Sequence, residues 1–403
     1  MENNLNISEL MTNGRIIASK QLKEGESIEI NSASFTRPFF SIIVPCYNSD
    51  PENIHQLLYS IKNGGCTDDI EVIICDGGST DKTYLEEVLS FNHRANMNIR
   101  IVSMPDKDEN DEELVHCPGN TREYGVRAAK GQWITFIDHD DMYIGKVFDK
   151  IKKVIEETNE LYIICSQILQ VNPDTDEVTK EITFATNWMH GKFYNLDNLW
   201  NAFDFHFKKN LVSNEDIYIS NRMHSILYQI KNLNVLWIND FTYMWKSWPN
   251  STSHKKYSDE LNYMEYYFFD YIDATYNVHT EEYNKLLKNG SEISDDLKNH
   301  FIKLQADALL FQYLYLQSFK FFNPNWRKEH EDIVKQNIKK FYERFDIGAD
   351  QLYSIACDEL DNDDIRDGGF ITKIWYNNVR YNVTVSCGNF IETDNFVDFI
   401  RSV

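Results

Sequence analysis

The chain has 403 residues, 42% of them hydrophobic and 26% charged, with only 16 Gly and 8 Pro. That is the balance of a folded globular protein with room for two or three domains, and it excludes a disordered, collagen-like or disulfide-stapled chain. Asp and Glu number 63 against 40 Lys and Arg, a formal net charge of −23, so general electrostatic attraction to nucleic acid or anionic lipid is excluded and any bound phosphate must be held locally.

Residues 1–38 read as a polar N-terminal extension without the apolar core of a signal peptide. No run of about 18 apolar residues occurs, so the expectation is a soluble, cytoplasmic protein with no transmembrane segment. The 7 cysteines are odd in number, widely spaced and free of any CxxC pair, which points to reduced thiols rather than a zinc site.

From Phe39 to about Lys153 short apolar runs alternate with amphipathic stretches, the rhythm of βαβ units on a parallel sheet. Phe40–Pro45 predicts a first strand, and residues 52–62 a helix with Ile54, Leu57, Leu58 and Ile61 on one face, ended by Asn63-Gly64-Gly65. Strands follow at Ile70–Cys75, Ile99–Ser103 and Trp133–Ile137, with helices at Thr80–Phe91 and 119–130; the strands are apolar on both faces, as buried parallel strands are. Leu161–Gln170 and Val178–Thr183 read as a hairpin about Pro173–Glu177, residues 215–230 as a helix, and Val235–Ile238 as a strand. Beyond about Lys256 the chain turns Tyr- and Phe-rich at helical spacing (Tyr263, Tyr266, Tyr267, Tyr271, then Leu309, Leu310, Tyr313, Leu316). It ends in a β-like tail, where Phe370–Trp375 and Val379–Val385 flank Asn377-Asn378. The acidic stretch Asp106–Glu113 reads as a solvated loop.

The strongest chemical signal is Phe136-Ile-Asp138-His-Asp140-Asp141 at the end of an apolar strand. In extended backbone Asp138 and Asp140 point to one side and present two carboxylates to one object. Hard oxygen ligands of this kind suit Mg²⁺ or Mn²⁺, with water and substrate phosphate completing the shell; the structural alternative is an acidic turn before the next helix. At the end of the second strand, Cys75-Asp76-Gly-Gly-Ser-Thr-Asp81 places an acid and two glycines at the carboxyl edge of the sheet, where open α/β sheets bind ligands. Asp76 there can accept from a base or ribose, while Asp81 fits a helix cap.

Taken in order, Ser41-Ile-Ile-Val-Pro45-Cys-Tyr47-Asn48, Ile74-Cys-Asp76-Gly-Gly-Ser-Thr-Asp81, Arg122 and Phe136-Ile-Asp138-His-Asp140-Asp141 resemble the signatures of family 2 glycosyltransferases over roughly residues 39–254. The resemblance implies a GT-A fold: a Rossmann-like, mixed but mostly parallel sheet flanked by helices, here followed by a mainly helical C-terminal region with a short β tail. It implies inverting transfer of a sugar from a nucleotide diphosphate donor, with uridine favoured, to a hydroxyl of a glycan or glycoprotein, assisted by Mn²⁺ or Mg²⁺. Pro45, Tyr47 and Asp76 would then contact the nucleoside, with Asn48, Arg122 and His139 in the same donor site. Asp138 would meet the ribose or the ion, and Asp140 the ion and diphosphate. In Gly119-Asn-Thr-Arg122-Glu-Tyr-Gly125 the arginine matches the family's Ala-Arg-Asn-x-Gly, but Glu123 stands where the asparagine belongs.

An inverting displacement needs a carboxylate in reach of the acceptor hydroxyl. Ser213-Asn-Glu215-Asp216 resembles the family's Glu-Asp motif, which makes Asp216 the candidate base with Glu215 beside it; acids in a first helical turn also simply favour the helix dipole. By the same resemblance His254 is a candidate third ligand of the ion, and Trp188, His190, Trp245 and Trp248 are candidate acceptor contacts, with burial the ordinary alternative for the tryptophans. Two rival readings make other demands on the sequence. A sugar nucleotidyltransferase would carry a basic Gly-rich loop after the first strand, and Cys46-Tyr-Asn-Ser-Asp-Pro51 has no Lys or Arg. A non-catalytic nucleotide-binding or assembly protein would keep the pocket without turnover. The expected organisation is a catalytic domain over 39–256 and an accessory domain over 257–403, the latter open to acceptor recognition, self-association or docking of a partner enzyme.

Overall fold

The computed structural model describes residues 27–30, 37–158, 161–183, 188–227, 234–248, 268–319, 324–358, 370–376, 379–385 and 398–403. Two compact units divide the chain, one formed by Met1–Ser220 with Ile230–Ser251 and the other by Asn221–Gln229 with Thr252–Val403.

The first unit is a mixed sheet. In chain order its strands are β1 (Ser27–Ile30), β2 (Phe40–Cys46), β3 (Ile70–Asp76), β4 (Asn98–Ser103), β5 (Trp133–Phe136), β6 (Met142–Tyr143), β7 (Leu161–Val171), β8 (Val178–Ile182), β9 (Lys192–Asn195) and β10 (Asn234–Lys246). Across the sheet they run β1-β4-β3-β2-β5-β9-β7-β10-β6, with β8 added to β7. The β4-β3-β2-β5 block and the β7–β10 pair are parallel, and β9 joins them antiparallel to both β5 and β7. Burial on both faces accounts for the apolar character of β2 and β3, all seven residues of each being buried. Pro45 lies past Ile43, the last β2 residue paired with β5, where its missing N–H does not interrupt that ladder.

Helices α1 (Pro51–Asn63), α2 (Thr83–Ala95), α3 (Pro118–Ala128), α4 (Val147–Glu157) and α5 (Glu215–Leu227) accompany the strands. Helix α1 starts as its sequence dictates, with Pro51 in the first turn and the Asp50 carboxylate accepting from the Glu52 N–H, and it buries Ile54, Leu57, Leu58 and Ile61. Glu71, 1% exposed, supports the sheet from below: it accepts from Ser41 Oγ and from the Lys130 and Gly131 N–H groups, so the turn closing α3 is tied to β2 and β3.

The second unit is helical, with α6 (Val278–Lys288), α7 (Asp295–Phe319), α8 (Pro324–Phe345) and α9 (Ala349–Asp358) around a core that includes Phe301, Leu309, Tyr313, Leu316, Ile338, Phe341 and Leu352. The C-terminal part of α5 groups with this unit. Strands β11 (Phe370–Tyr376) and β12 (Val379–Val385) pair antiparallel, as their spacing predicts; the Asn377-Asn378 turn lies outside the described residues, as do Tyr263, Tyr266 and Tyr267. Among the described residues no helix is long and apolar enough to cross a membrane.

Several boundaries differ from expectation. Helix α2 begins at Thr83 rather than Thr80 because Thr80 and Asp81 give their N–H groups to the Asn48 side chain. Strand β10 runs far beyond Val235–Ile238, carried past the polar Asn239-Asp240 by register shifts between Trp237 and Phe241. Strands β1, β6 and β9 and helix α4 were not predicted; the strands are two to four residues long, too short for a period to show.

Candidate active site

Two loops at the carboxyl ends of β2 and β3 hold each other. Asn48, in the left-handed region at φ 46°, donates its N–H to Ser79 Oγ (2.9 Å), and its Oδ1 accepts from the N–H groups of Thr80 and Asp81 (both 2.9 Å). Asp76 is buried; its Oδ1 accepts from the Ser79 N–H (2.9 Å) and the Tyr84 hydroxyl (3.0 Å), and its Oδ2 lies 3.0 Å from Lys82 Nζ. Asp81 accepts from the Thr83 N–H at the start of α2, the capping expected of it. Pro45 is buried in β2, while the Tyr47 ring beside it is 55% exposed, a flat apolar face at the rim of this loop pair.

Strand β5 stops at Phe136, one residue before its predicted end, and the chain turns back so that the Asp141 N–H donates to the Asp138 carbonyl (3.1 Å). Asp138, His139 and Asp140 therefore sit in a turn, and the extended i, i+2 geometry that would aim Asp138 and Asp140 together is absent. The turn separates three acids by environment. Asp138 accepts from Arg122 (2.5 Å) and meets His190 Nε2 at 3.2 Å; burial alone would raise its pKa, but these two partners hold it well below the ordinary carboxylate range. Asp141 accepts from the Tyr243 hydroxyl (2.6 Å) and the Lys246 N–H (2.8 Å), and burial with the nearby Asp140 and Asp138 charges pushes it well up. Asp140 takes no hydrogen bond from another described residue; burial raises its pKa, against the pull of His139.

Arg122 joins this turn to α5. Only 5% exposed, it donates to Asp138 and to Glu215 at the first residue of α5; burial opposes its charge, yet the two carboxylates raise its pKa. A Cβ on Gly119 in α3 would lie 3.1 Å from the Glu215 Cβ, so the glycine lets α5 come close. Next to Glu215, the half-buried Asp216 has its pKa pushed up to about 6 by burial and the Glu215 charge, with His190 and Arg122 pulling the other way. Glu123 replaces the family's asparagine with a bracing role, accepting from the Phe207 N–H (3.0 Å) and from Arg127 (3.1 Å). The acidic loop is solvated as expected, residues 106, 107 and 109–113 being exposed, and it is braced by Lys209, which reaches Asp108 (2.7 Å) and Glu112.

Of the candidate acceptor residues, Trp188 and Trp245 stack edge to face (5.1 Å) and pack partly against the sheet core, and His190 lies between the Tyr243 ring (5.2 Å) and Asp138. Trp248, two residues past β10, is half-buried. His254 lies outside the described residues. Sequence reasoning assigned no role to Asp141 or Lys192. Lys192 is 7% exposed on β9, and burial lowers its pKa to about 8 against the pull of Cys165 and Asp216. The only sequence signal for it was its place in the His190-Gly-Lys segment.

The donor chemistry fits a divalent cation. Among the described residues Asp138, Asp141 and His190 offer ligand atoms within 4.8 Å of one another, and Asp140 adds a carboxylate on the same turn that takes no hydrogen bond from another described residue. Two carboxylates and an imidazole are a donor set that a divalent cation can take.

A mixed, mostly parallel sheet with buried acids at its carboxyl edge is the GT-A architecture. Residues 41–220 match the family model "Glycosyl transferase family 2". An uncharacterized glycosyltransferase of Haemophilus influenzae is 30% identical over 124 residues, 31% of this chain and 37% of that protein. The Staphylococcus aureus poly(ribitol-phosphate) beta-N-acetylglucosaminyltransferase TarS is 34% identical over 108 residues, 27% of this chain and 17% of that protein. The chain thus spans little more than a third of the curated relatives it matches, or less. A crystal structure of S. aureus TarS 1-349 superposes with a TM-score of 0.52 at 17% identity, covering 86% of this chain and 99% of that one, which establishes the shared fold.

Proposed function

We propose that the chain is an inverting, metal-assisted glycosyltransferase that moves a sugar from a uridine diphosphate donor to a hydroxyl of a glycan or glycoprotein, with residues 39–256 as catalytic domain and 257–403 as accessory domain. The observation that carries this reading is the Arg122 bridge: one buried guanidinium binds Asp138 of the acidic turn and Glu215 beside Asp216, so the candidate donor-side acid and the candidate base share a single anchor. Uridine is the base to test first, because S. aureus TarS, which has this fold, was solved in complex with UDP.

The exposed Tyr47 ring offers a face to the base, and Asp76 and Asn48 hold the loop beneath it. Asp138 would hold Mn²⁺ or Mg²⁺ together with Asp141 and His190, with Asp140 on the same turn facing the ion and diphosphate; the ion when bound would neutralise charge on the departing diphosphate. His139, on the same turn, and Arg122 complete the donor wall. Asp216 accepts the proton of the acceptor hydroxyl as its oxygen bonds to the anomeric carbon and the diphosphate oxygen leaves from the opposite side. A pKa near 6 leaves that carboxylate ionised at neutral pH yet more basic than an ordinary aspartate. Trp188, His190, Trp245 and Trp248 are the proposed acceptor contacts.

The test is a melting-temperature panel of UDP, GDP, CDP and their sugar conjugates with Mn²⁺ or EDTA, followed by a transfer assay with the nucleotide that binds. A ligand at 100 times its dissociation constant stabilises by about 2.7 kcal/mol, which a melting curve resolves. A metal-dependent shift with one nucleotide is expected. No shift with any of them would sink the reading.

A further inference from the structure

His116 stands outside every motif that points to the donor site, yet it is wired into it. Its Nδ1 lies 2.7 Å from the Gly77 carbonyl oxygen and its Nε2 lies 2.9 Å from Asp106 Oδ1. A carbonyl oxygen and a carboxylate oxygen can only accept, so Nδ1 carries a proton and donates to Gly77 while Nε2 carries one and donates to Asp106. The ring is held on both sides: the Val115 N–H donates to Asn210 Oδ1 (2.9 Å), the Val115 carbonyl accepts from Asn120 (2.8 Å), and the Leu114 N–H donates to the Asp106 carbonyl (2.7 Å). Gly78 is shaped to receive it. Its φ of 83° is open to glycine, and a Cβ there would fall 2.3 Å from the imidazole, so any other residue would meet both backbone strain and the ring.

Orientation is the consequence. In a planar trans peptide the carbonyl of one residue and the N–H of the next point in opposite directions. A bond that fixes the Gly77 carbonyl toward His116 therefore aims the Gly78 N–H away from it, and among the described residues that N–H meets no acceptor, although its neighbours Gly77, Ser79, Thr80 and Asp81 are all bonded. We propose that His116 is a positioning residue that fixes the Gly77-Gly78 peptide so that the Gly78 N–H donates to an oxygen of the bound nucleotide. The inference rests on the donor-site reading of the Asp76–Asp81 loop.

Three forms of the full chain decide it: wild type, His116→Ala, and His116→Asn, whose side-chain amide sits where Nδ1 does. Amide hydrogen exchange over residues 77–81 without ligand should rise severalfold in His116→Ala and return toward wild type in His116→Asn; no rise in the alanine variant overturns the clamp whatever the function. The UDP dissociation constant with Mn²⁺ should rise about tenfold in His116→Ala and recover in His116→Asn, while kcat at saturating donor stays within about twofold. Unchanged UDP affinity alongside a loosened turn overturns the positioning role. If His116→Ala does not fold, Asp106→Asn, at an exposed partner, replaces it with the same readouts in smaller size. Should wild type bind none of UDP, GDP or CDP, the functional reading fails and the inference falls with it, while the exchange result still decides whether the clamp exists.

Discussion

The α/β unit and the helical unit bury charge in opposite ways. In the helical unit polar groups enter the core in closed pairs: Arg222 with Glu282 (3.0 Å), Ser225 with His279 (2.7 Å), Asn337 with Gln312 (3.1 Å), Arg344 with Gln305 (2.5 Å). These pairs answer most of their own desolvation, although Gln305 Nε2 and Gln312 Nε2 are buried without a hydrogen-bond partner among the described residues, and they are spread over several helices. In the α/β unit several buried acids gather at one end of the sheet, and three of them, Asp140, Asp141 and Asp216, have pKa values raised by burial despite nearby basic groups. Paired burial builds a core; converging burial with groups left over builds a site.

Asp216→Asn carries the largest expected effect: kcat falls by about a hundred- to ten-thousandfold while the UDP dissociation constant holds, read by steady-state kinetics and calorimetry. Removing a strained buried charge should also leave Tm unchanged or raise it. In the helical unit the signs reverse. Glu282→Ala removes the carboxylate from a buried guanidinium and costs about 3 kcal/mol, seen as a fall in Tm of roughly 10 °C, with UDP affinity unchanged. A matching loss of UDP affinity would show that the two kinds of burial are not separable.

Acidification reads both regions at once. His279 is held to about 3 by burial, against 6.5 unfolded, so the unfolded chain binds a proton that the folded one refuses. Stability is therefore expected to fall by about 1.4 kcal/mol per pH unit as pH drops below 6.5, a slope that His279→Phe should flatten. Over the same range kcat/KM should fall through about pH 6 as Asp216 takes up its proton. Asp140→Asn should reduce the Mn²⁺ dependence of UDP binding by about tenfold. The smallest effect is Lys209→Ala, which should speed exchange in residues 106–113 and barely move Tm, since exposed ion pairs contribute little. A large Tm loss there would make the acidic loop part of the core.

The doubly buried strands β2, β3 and β4 and the amphipathic α1 were legible because burial on both faces, or on one helical face, writes a period into the sequence. Asp76, Arg122, Asp138 and Glu215 were legible as types at strand and helix ends. Their pairing was not, since Arg122 meets Glu215 across 93 positions of chain. The acidic turn is hidden for a local reason: the apolar run continues past Phe136 to Ile137, and the hydrogen bond from Asp141 back to Asp138 that closes the turn leaves no mark on polarity. His116 was invisible for the same cause, its two partners lying 39 and 10 positions away.

Strand β1 was unforeseen, and it has a bearing on solubility. Ser27–Ile30 pairs antiparallel with Ile99–Val102 and occupies the outer backbone edge of β4, which would otherwise present unpaired N–H and carbonyl groups to any passing strand. A four-residue outermost strand is a poor template for another chain. Truncation before Phe39 should therefore leave the Asn48 and Asp76 loops intact and yet promote self-association through β4.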